Sequence, residues 1–340
     1  MKKIAIVAYE SNPAICSSMM MHVGMINDAG LEPILYVQRS VPKQLFDNYS
    51  YEIRPFDTIK RLKELLILDQ VDCVWCTTAL YLLKLSINGI NIPLYLWQQG
   101  DGPAESFMHH HNIIRVWILK FLLSCAFRKA AGVVFVSDSM RDYYYNEYGF
   151  NKPNIVVPCL SEFADNKINV ERIPNSYVYI GGLSVWQCFE DILALYKKIR
   201  KPSSTFHIIT LDTDSAISKV ESIIGSQDGI MIYSIKDRSK IPEVLNKFQY
   251  GFLIRKNDIV NQVSSPIKFL EYLSCGVDVI MTDAVPAYAN IIQDYHVGTI
   301  VDLNSENIII NKYSDQAKKV YQELFNRERY VERYKSLLNQ

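Results

Sequence analysis

The residue types best suited to chemistry fall together between positions 251 and 283, in the run GFLIRKNDIVNQVSSPIKFLEYLSCGVDVIMTD. Ser265 and Pro266 are of the kinds that open an α-helix, a capping hydroxyl followed by a ring that presets the first turn. Gly276 is of the kind that closes one, because it accepts the left-handed conformation. In the helix so framed, Ile267, Leu270 and Leu273 can face a core. Lys268 and Glu271 lie three residues apart on one exposed face. The helix begins just past the carboxyl end of the strand YGFLIRK, so its free N–H groups are expected to point into the cleft, as an anion site requires. With Arg255, Lys256 and Lys268 beside it, that start suits a diphosphate. Glu271, more than a turn further in, suits the two hydroxyls of a ribose, since an ionised carboxylate can accept both. The same residues also describe a plainer object, a capped helix with a weakly stabilising surface pair.

A second polar cluster follows the run IPLYLWQQ. In Gln98-Gln99-Gly100-Asp101-Gly102 the two glycines allow close backbone approach or positive φ, which sets Gln99 and Asp101 at the mouth of a cleft. Glu105 can cap the next helix or meet a sugar hydroxyl; a simple polar turn reads equally well. His109-His110-His111 resembles a metal site in composition only. Consecutive side chains on a helix splay by about 100° and do not converge on one ion, so no metal is expected. Cys73-x-x-Cys76 lies in VDCVWC, where strand alternation sends the two thiols to opposite faces, which argues against redox chemistry.

These clusters need elements to hold them. Short β-branched or aromatic runs (KKIAIVAY, EPILYVQ, YEIRPF, VDCVWCTT, IPLYLWQQ, AGVVFVS) alternate with helical stretches at 14–29, 58–68 and 137–147. Such alternation implies right-handed crossovers and a parallel sheet. The pattern restarts at SYVYIGG with helices expected at 189–199, 215–224, 241–248 and from Pro266, separated by STFHIITL, GIMIYSI, YGFLIRK, VDVIMTD and GTIVDL. The chain therefore reads as two Rossmann-like α/β domains, 1–160 and 176–315. A polar linker over 161–175 joins them, and a C-terminal helical segment over 316–340 can cross back to the first. Two such domains would face each other across a cleft, with ligands at the carboxyl ends of the strands.

Charge narrows the partners. Lys+Arg and Asp+Glu both number 36, with no asymmetry between halves, so nucleic acid is not expected. Seven scattered cysteines and no secretory leader suit a reducing, cytoplasmic setting. The stretch 113–131 is apolar but broken by Arg115, Lys120, Arg128 and Lys129, too interrupted to span a membrane. It suits either a buried crossover helix or an amphipathic helix lying on the inner face of the membrane.

The Ser264–Asp283 segment resembles the donor site of GT-B glycosyltransferases, especially family 4 enzymes of bacterial surface polysaccharide synthesis. LIRKNDIVNQV, VYIGGLSVWQCFEDIL, LYLWQQGDGPAES, AGVVFVSDSMRDYYYNEYG and NIVVPC resemble further parts of that family, in order along most of the chain. The resemblance implies a GT-B fold and a hexosyltransferase-type activity, with sugar passing from a nucleotide diphosphate-sugar to a saccharide or polyprenyl-diphosphate-linked acceptor. Capsule or O-antigen synthesis is the implied setting, retention the implied stereochemistry, and no metal or other cofactor is implied. By resemblance Glu271 binds the ribose, while Arg255 and the Ser264, Ser265, Pro266, Ile267 and Lys268 segment hold the diphosphate. The loop at Ile235 presents its backbone to the base. Gly182, Ser184, Trp186, Gln187 and Asn261 complete the donor pocket, with Trp186 alternatively a packing anchor. Gln98, Gln99, Asp101 and Glu105 border the acceptor. Arg255 and Lys268 stabilise the leaving diphosphate, and Asp101 orients a hydroxyl or, in an inverting reaction, acts as base.

Two departures stand out. Val263 occupies a position where the family often has Glu, and the loop Gly182-LSVWQ-187 has neither the Arg nor the Lys common there. They motivate one rival, a glycosyltransferase-like nucleotide-binding scaffold without turnover. A second rival is a nucleotide-sugar epimerase of similar fold.

Overall fold

Runs of β-branched and aromatic residues too short for helices, buried on both faces, are what parallel strands between helical layers require. Thirteen form. β1 to β7 are Lys3–Ala8, Glu32–Gln38, Ile53–Phe56, Cys73–Cys76, Leu94–Gln98, Gly132–Phe135 and Asn154–Val156. β8 to β13 are Ser176–Ile180, Thr205–Ile209, Ile230–Tyr233, Tyr250–Leu253, Asp278–Met281 and Gly298–Ile300. The computed structural model describes residues 1–9, 13–47, 49–164, 166–168 and 170–339. Residues 165 and 169 of the expected linker, and 340 of the expected tail, lie outside the described residues.

The strands form two all-parallel sheets, in the orders β3-β2-β1-β4-β5-β6-β7 and β10-β9-β8-β11-β12-β13. Each sheet reverses its winding direction once, between β1 and β4 in the first and between β8 and β11 in the second. In an open parallel sheet the crevice at such a reversal, past the carboxyl ends of the strands, is where ligands bind. The residues that follow β8 and β11 are Gly181 and Ile254-Arg255, which connects the topology directly to the polar run read from the sequence.

The chain divides into two compact units, one of residues 1–159, 263–265 and 326–340, the other of 160–262 and 266–325. The segment expected as a linker, 161–175, thus falls within the second unit. The tail splits, giving the helix Ala317–Leu324 to the second unit and Arg327–Leu338 to the first. Among the described residues the helices Ala79–Ile87, Ile259–Gln262 and Pro286–Tyr295 stand where the sequence reading expects none, because start signals such as Thr78 and Pro286 are not followed by a clear apolar period.

The returning helix is tied into the first unit by its own side chains. Tyr334, Leu337 and Leu338 are buried, Arg333 donates to the Val156 carbonyl, and Lys2 donates to the Leu338 carbonyl. At the centre, Trp75 and Trp97 stack with centroids 5.3 Å apart, and the His22 ring lies 4.4 Å from that of Trp97. His22 Nδ1 meets the Tyr334 hydroxyl at 2.5 Å. Burial holds His22 neutral and pushes its pKa down to about 3. Both cysteines of VDCVWC are buried on β4, and burial pushes the Cys73 thiol up to about 12, which leaves neither as a nucleophile.

Because the folded pKa of His22 lies below its unfolded value, its neutral form supports the fold fully above about pH 6.5 and progressively less below it. Between about pH 6 and pH 4, stability measured by urea unfolding is expected to fall by about 1.4 kcal/mol per pH unit through this residue. His22→Gln should be less stable at pH 7 but show a flatter acid slope; an unchanged slope would assign the acid sensitivity elsewhere.

Candidate functional site

The loop after β8 turns on Gly181, whose φ is +134°. A methyl group at this position would meet the Lys268 side chain end, at 2.4 Å from Cε and 2.5 Å from Nζ. Glycine here satisfies two demands at once, an unusual backbone and an ammonium directly above it. Past Gly181 the loop closes as a short 3₁₀ turn, Val185–Gln187, and Cys188 with φ +49° leads into the helix Phe189–Ile199.

Lys268 comes from the helix Ile267–Ser274. The expected cap residue is not the observed one: Pro266 holds the cap position with extended ψ, and the Ser265 hydroxyl instead accepts from the Cys159 N–H at 3.1 Å. Ser265 belongs, with Val263 and Ser264, to the first unit rather than to the helix. Gly276 does end the helix, with φ +70°; its N–H reaches the Leu273 carbonyl and that of Val277 reaches Tyr272, the paired bonds of a left-handed helix stop.

The larger correction concerns exposure. Lys268 and Glu271, read as a solvent-facing pair, are 7% and 2% exposed, and every residue from Lys268 to Ser274 is buried. Lys268 Nζ donates to Gln187 Oε1 at 2.6 Å and to the Tyr179 hydroxyl at 3.1 Å, and sits 4.2 Å from the Tyr179 ring centroid. Tyr179 donates in turn to the Gly182 carbonyl. Burial pushes the Lys268 pKa well below the usual lysine range, and nearby Arg255 pushes the same way against a smaller opposing pull from Glu271. An arriving anion would reverse that shift and charge the amine fully.

Arg255 follows β11 and is 7% exposed. Its backbone is pinned by Thr282, whose hydroxyl accepts from the Arg255 N–H at 3.0 Å and donates to its carbonyl at 2.6 Å. Arg255 Nη1 donates to the Trp186 carbonyl at 2.9 Å and to the Ile254 carbonyl at 3.3 Å. Among the described residues these are the guanidinium's hydrogen bonds, so Nη2 and Nε keep donors for a ligand. Arg255 and Lys268 thus hold neighbouring residues of one loop, Trp186 and Gln187. They bring two basic groups to the sheet reversal, and among the described residues no carboxylate is in hydrogen-bond contact with either.

Glu271, one turn along the same helix, accepts from Arg238 Nη2 at 2.6 Å. Burial raises its pKa, and Arg238 opposes the rise. Ile235, in the loop after β10, is half-buried; Gly182 and Ser184 are exposed, and Trp186 and Gln187 half-buried. Asn261 is buried and braces its own loop, donating from Nδ2 to the Lys256 carbonyl and to Asp258 Oδ2, both at 3.0 Å. The structure therefore gathers Gln187, Arg255, Lys268 and Glu271, with the Gly182 and Trp186 carbonyls. It gives Asn261 a bracing role and assigns Ser264 and Ser265 to the other unit. The sequence reading missed Gly181, Tyr179 and Arg238. The paired glycines after a strand were a usable signal for the first of these; nothing in spacing marks the other two.

In the first unit, a cavity of about 760 Å³ opens at the carboxyl ends of β1, β4 and β5, lined by Tyr9, Thr77, Gln98, Gln99, Glu105 and Arg115 among others. Gln98 is nearly buried and donates to the Gly100 carbonyl at 2.6 Å and to Tyr144 at 3.0 Å. Gln99 Nε2 donates to the Thr77 carbonyl at 3.2 Å. The Glu105 carboxylate folds over Gly100, where a Cβ would stand 2.2 Å from Oε1. Asp101 does not line the cavity. It is 1% exposed, its Oδ1 accepts the Ala104 N–H at 2.7 Å as the cap of the helix Gly102–His110, and its Oδ2 accepts from Tyr144 at 3.2 Å. A carboxylate so engaged positions the helix start, which corrects the expectation of a hydroxyl-orienting or basic Asp101. His109, His110 and His111 are exposed at the end of that helix. Among the described residues, no three His, Cys, Asp or Glu side chains gather in a way that could hold a metal ion.

No protein-family model matches the sequence, and no curated protein sequence matches it. Solved structures do. The chain is similar to the lipopolysaccharide outer core galactosyltransferase WaaB in its apo form, with 12% identity over 99% of each chain and a TM-score of 0.71. It is similar to Anabaena Alr3699/HepE in complex with UDP, with 11% identity over 100% of each chain and a TM-score of 0.67. A third similar structure is the E. coli trehalose-6-phosphate protein bound with UDP-2-fluoro glucose, with 11% identity over 99% of this chain and 95% of that one, at a TM-score of 0.62. With the two parallel sheets, these likenesses show that the chain has the GT-B fold.

The contact between Gly181 and Lys268 is open to a direct check. Gly181→Ala is expected to destabilise the second unit by about 1–3 kcal/mol, combining positive-φ strain with displacement of the ammonium. In the Lys268→Ala background the steric part should vanish and the cost fall by about half. Equal costs in both backgrounds, measured by chemical denaturation, would show that the two residues do not interact.

Proposed function

We propose that this protein is a glycosyltransferase that takes a sugar from a nucleotide diphosphate-sugar bound by the second unit to a saccharide or lipid-linked saccharide bound by the first. The observation that carries the reading is the pair of buried cations, Arg255 and Lys268, held on one loop at the sheet reversal with Glu271 a turn away. Departure of a nucleoside diphosphate builds negative charge on the β-phosphate. Fixed cations and the free N–H groups at a helix start stabilise that charge without reorganising. The two cations stand in for the Arg and Lys missing from the 182–187 loop, so we propose transfer without a metal. That similar structures hold UDP or UDP-2-fluoro glucose supports a nucleoside diphosphate donor. The engagement of both Asp101 oxygens supports retention, which asks for no dedicated base. The resemblance of Pro266–Gly276 to family 4 enzymes supports a place in cell-surface polysaccharide synthesis.

A second observation bears on the acceptor. The helix Ile113–Lys129 buries Leu123, Ala126 and Phe127 but leaves Ile113, Ile114, Trp117, Ile118 and Phe121 between 55% and 69% exposed. At 100° per residue these five span an arc of about 140°. Leu119, Leu123 and Arg115, on the other side of the helix, line the first unit's cavity. No acidic residue occurs between Ser106 and Ser137, while Arg115, Lys120, Arg128 and Lys129 do. An exposed apolar stripe with basic flanks fits an anionic membrane surface and supports a lipid-linked acceptor. No helix among the described residues is long and apolar enough to cross a membrane. The protein we propose is therefore cytoplasmic and peripheral.

Two measurements test these readings. Thermal stabilisation by UDP, GDP, ADP and their sugars should single out one base, and Arg255→Ala and Lys268→Met should each lose most of the shift. Transfer should persist in EDTA. Nucleotide binding with no transfer to any acceptor would favour the scaffold reading, and altered sugar in the donor alone would favour an epimerase. Separately, the protein should float with vesicles containing anionic lipid, and Trp117→Ser with Phe121→Ser should weaken that binding by tenfold or more while leaving the melting temperature within a few degrees. Absence of flotation for the unmodified protein would remove the membrane from the proposal.

A further inference from the structure

Arg238 carried no role in the sequence reading, yet it is the best-anchored charge near the donor site. It opens a one-turn 3₁₀ segment, Arg238–Lys240, fixed by Asp237, whose Oδ1 accepts the Ser239 N–H at 3.1 Å and the Ser239 hydroxyl at 2.6 Å. The guanidinium then makes three contacts in different directions. Nη2 donates to Glu271 Oε1 at 2.6 Å, Nε donates to Glu162 Oε1 at 2.6 Å, and its plane lies 5.6 Å from the Phe163 ring centroid. Glu162 and Phe163 sit at the start of the segment expected to be a linker, and that start is itself built in. Ser161 Oγ bonds Ser274 Oγ at 2.9 Å, at the end of the Glu271 helix, and the Ser161 N–H donates to the Tyr321 hydroxyl at 3.3 Å.

We propose that Arg238 is a positioning residue of the donor site: clamped between Glu162 and Glu271, it holds the Glu271 carboxylate charged and oriented to accept the ribose diol. The inference rests on the donor-site reading above and deepens it. Its physical basis is that a carboxylate 2% exposed to solvent protonates unless a cation compensates it. A carboxylic acid keeps acceptor capacity but spends one oxygen as a donor, and so binds a diol less well. The charged groups facing Glu271 are Arg238, Glu162 and Lys268. Lys268 is itself held towards neutrality by burial, and Glu162 raises the Glu271 pKa, so Arg238 is the main group keeping the carboxylate ionised. A free carboxylate would also serve the diol; what Arg238 adds is a countercharge that opposes the upward push of burial on the Glu271 pKa.

The test is a titration of UDP, and of 2′-deoxy-UDP, against the full chain from pH 6 to pH 9, for the unmodified protein, Arg238→Gln and Arg238→Lys. Comparing variant with unmodified protein at each pH cancels the ionisation of the nucleotide itself. Arg238→Gln should bind UDP at least tenfold more weakly at pH 6, with the ratio narrowing severalfold by pH 9 as Glu271 ionises unaided. Arg238→Lys should show a smaller and flatter ratio. For 2′-deoxy-UDP, which lacks half the diol, the Arg238→Gln penalty should be at least threefold smaller. A penalty equal for both nucleotides and constant with pH would reduce Arg238 to a structural ion pair and overturn the proposal. If Arg238→Gln does not fold, a flat, unit ratio for Arg238→Lys combined with Glu162→Gln would overturn it equally. Failure of the unmodified protein to bind UDP, GDP or ADP at any pH is a different outcome: it removes the donor site, and this inference with it.

Discussion

Burying Lys268 is the constraint on which the second unit's architecture turns. An ammonium taken out of water costs several kcal/mol unless its donors are satisfied. Here the hydroxyl and ring face of one tyrosine and a glutamine oxygen do that, from two different elements. Tyr179 comes from β8, Gln187 from the 3₁₀ turn after it, and the lysine from the helix that follows β11 in the chain. Gly181 is required because there is no room for a side chain under the ammonium.

Glu271 presents the mirror problem on the same helix and is solved differently. Its compensation is a full countercharge, Arg238, shared with Glu162. The helix Ile267–Ser274 thus carries opposite charges inward three residues apart, each met by separate partners. A pair formed between Lys268 and Glu271 would have neutralised both and left nothing for a ligand. Their separation leaves basic groups near Arg255 and a carboxylate near Arg238, which in the proposed donor site would meet the diphosphate and the ribose hydroxyls.

In the first unit the polar cluster after β5 divides its labour. Asp101 turns inward to Tyr144 and caps the helix start, while Gln98, also bonded to Tyr144, lines the cavity with Gln99 and Glu105. The helix Ile113–Lys129 gives that cavity one wall and shows solvent an apolar face, an arrangement costly in water unless something covers it. The returning helix Arg327–Leu338 closes the far side of the same core through Tyr334 and His22.

Much of this was legible in the linear chain, because periodicity and punctuation are local. Alternating apolar runs and helical stretches gave both sheets, Gly276 marked a real helix end, and Arg255, Lys268 and Glu271 stood out as a set. The exposure of that set was misread for a physical reason. A lysine and a glutamate three apart look amphipathic in any single helix, and only the neighbours of the helix decide whether that face meets water. Ser265 likewise has the chemistry of a cap, but a hydroxyl takes the N–H that tertiary structure offers, and Cys159 offered one. Arg238 lies 33 residues from its partner and Glu162 lies 76 residues from Arg238, so neither could be read from spacing. The sequence by itself determined the elements, their order and the kinds of charge available. Tertiary structure alone decided which charges are buried and which partners hold them, because desolvation and pairing depend on what packs around a group rather than on what precedes it in the chain.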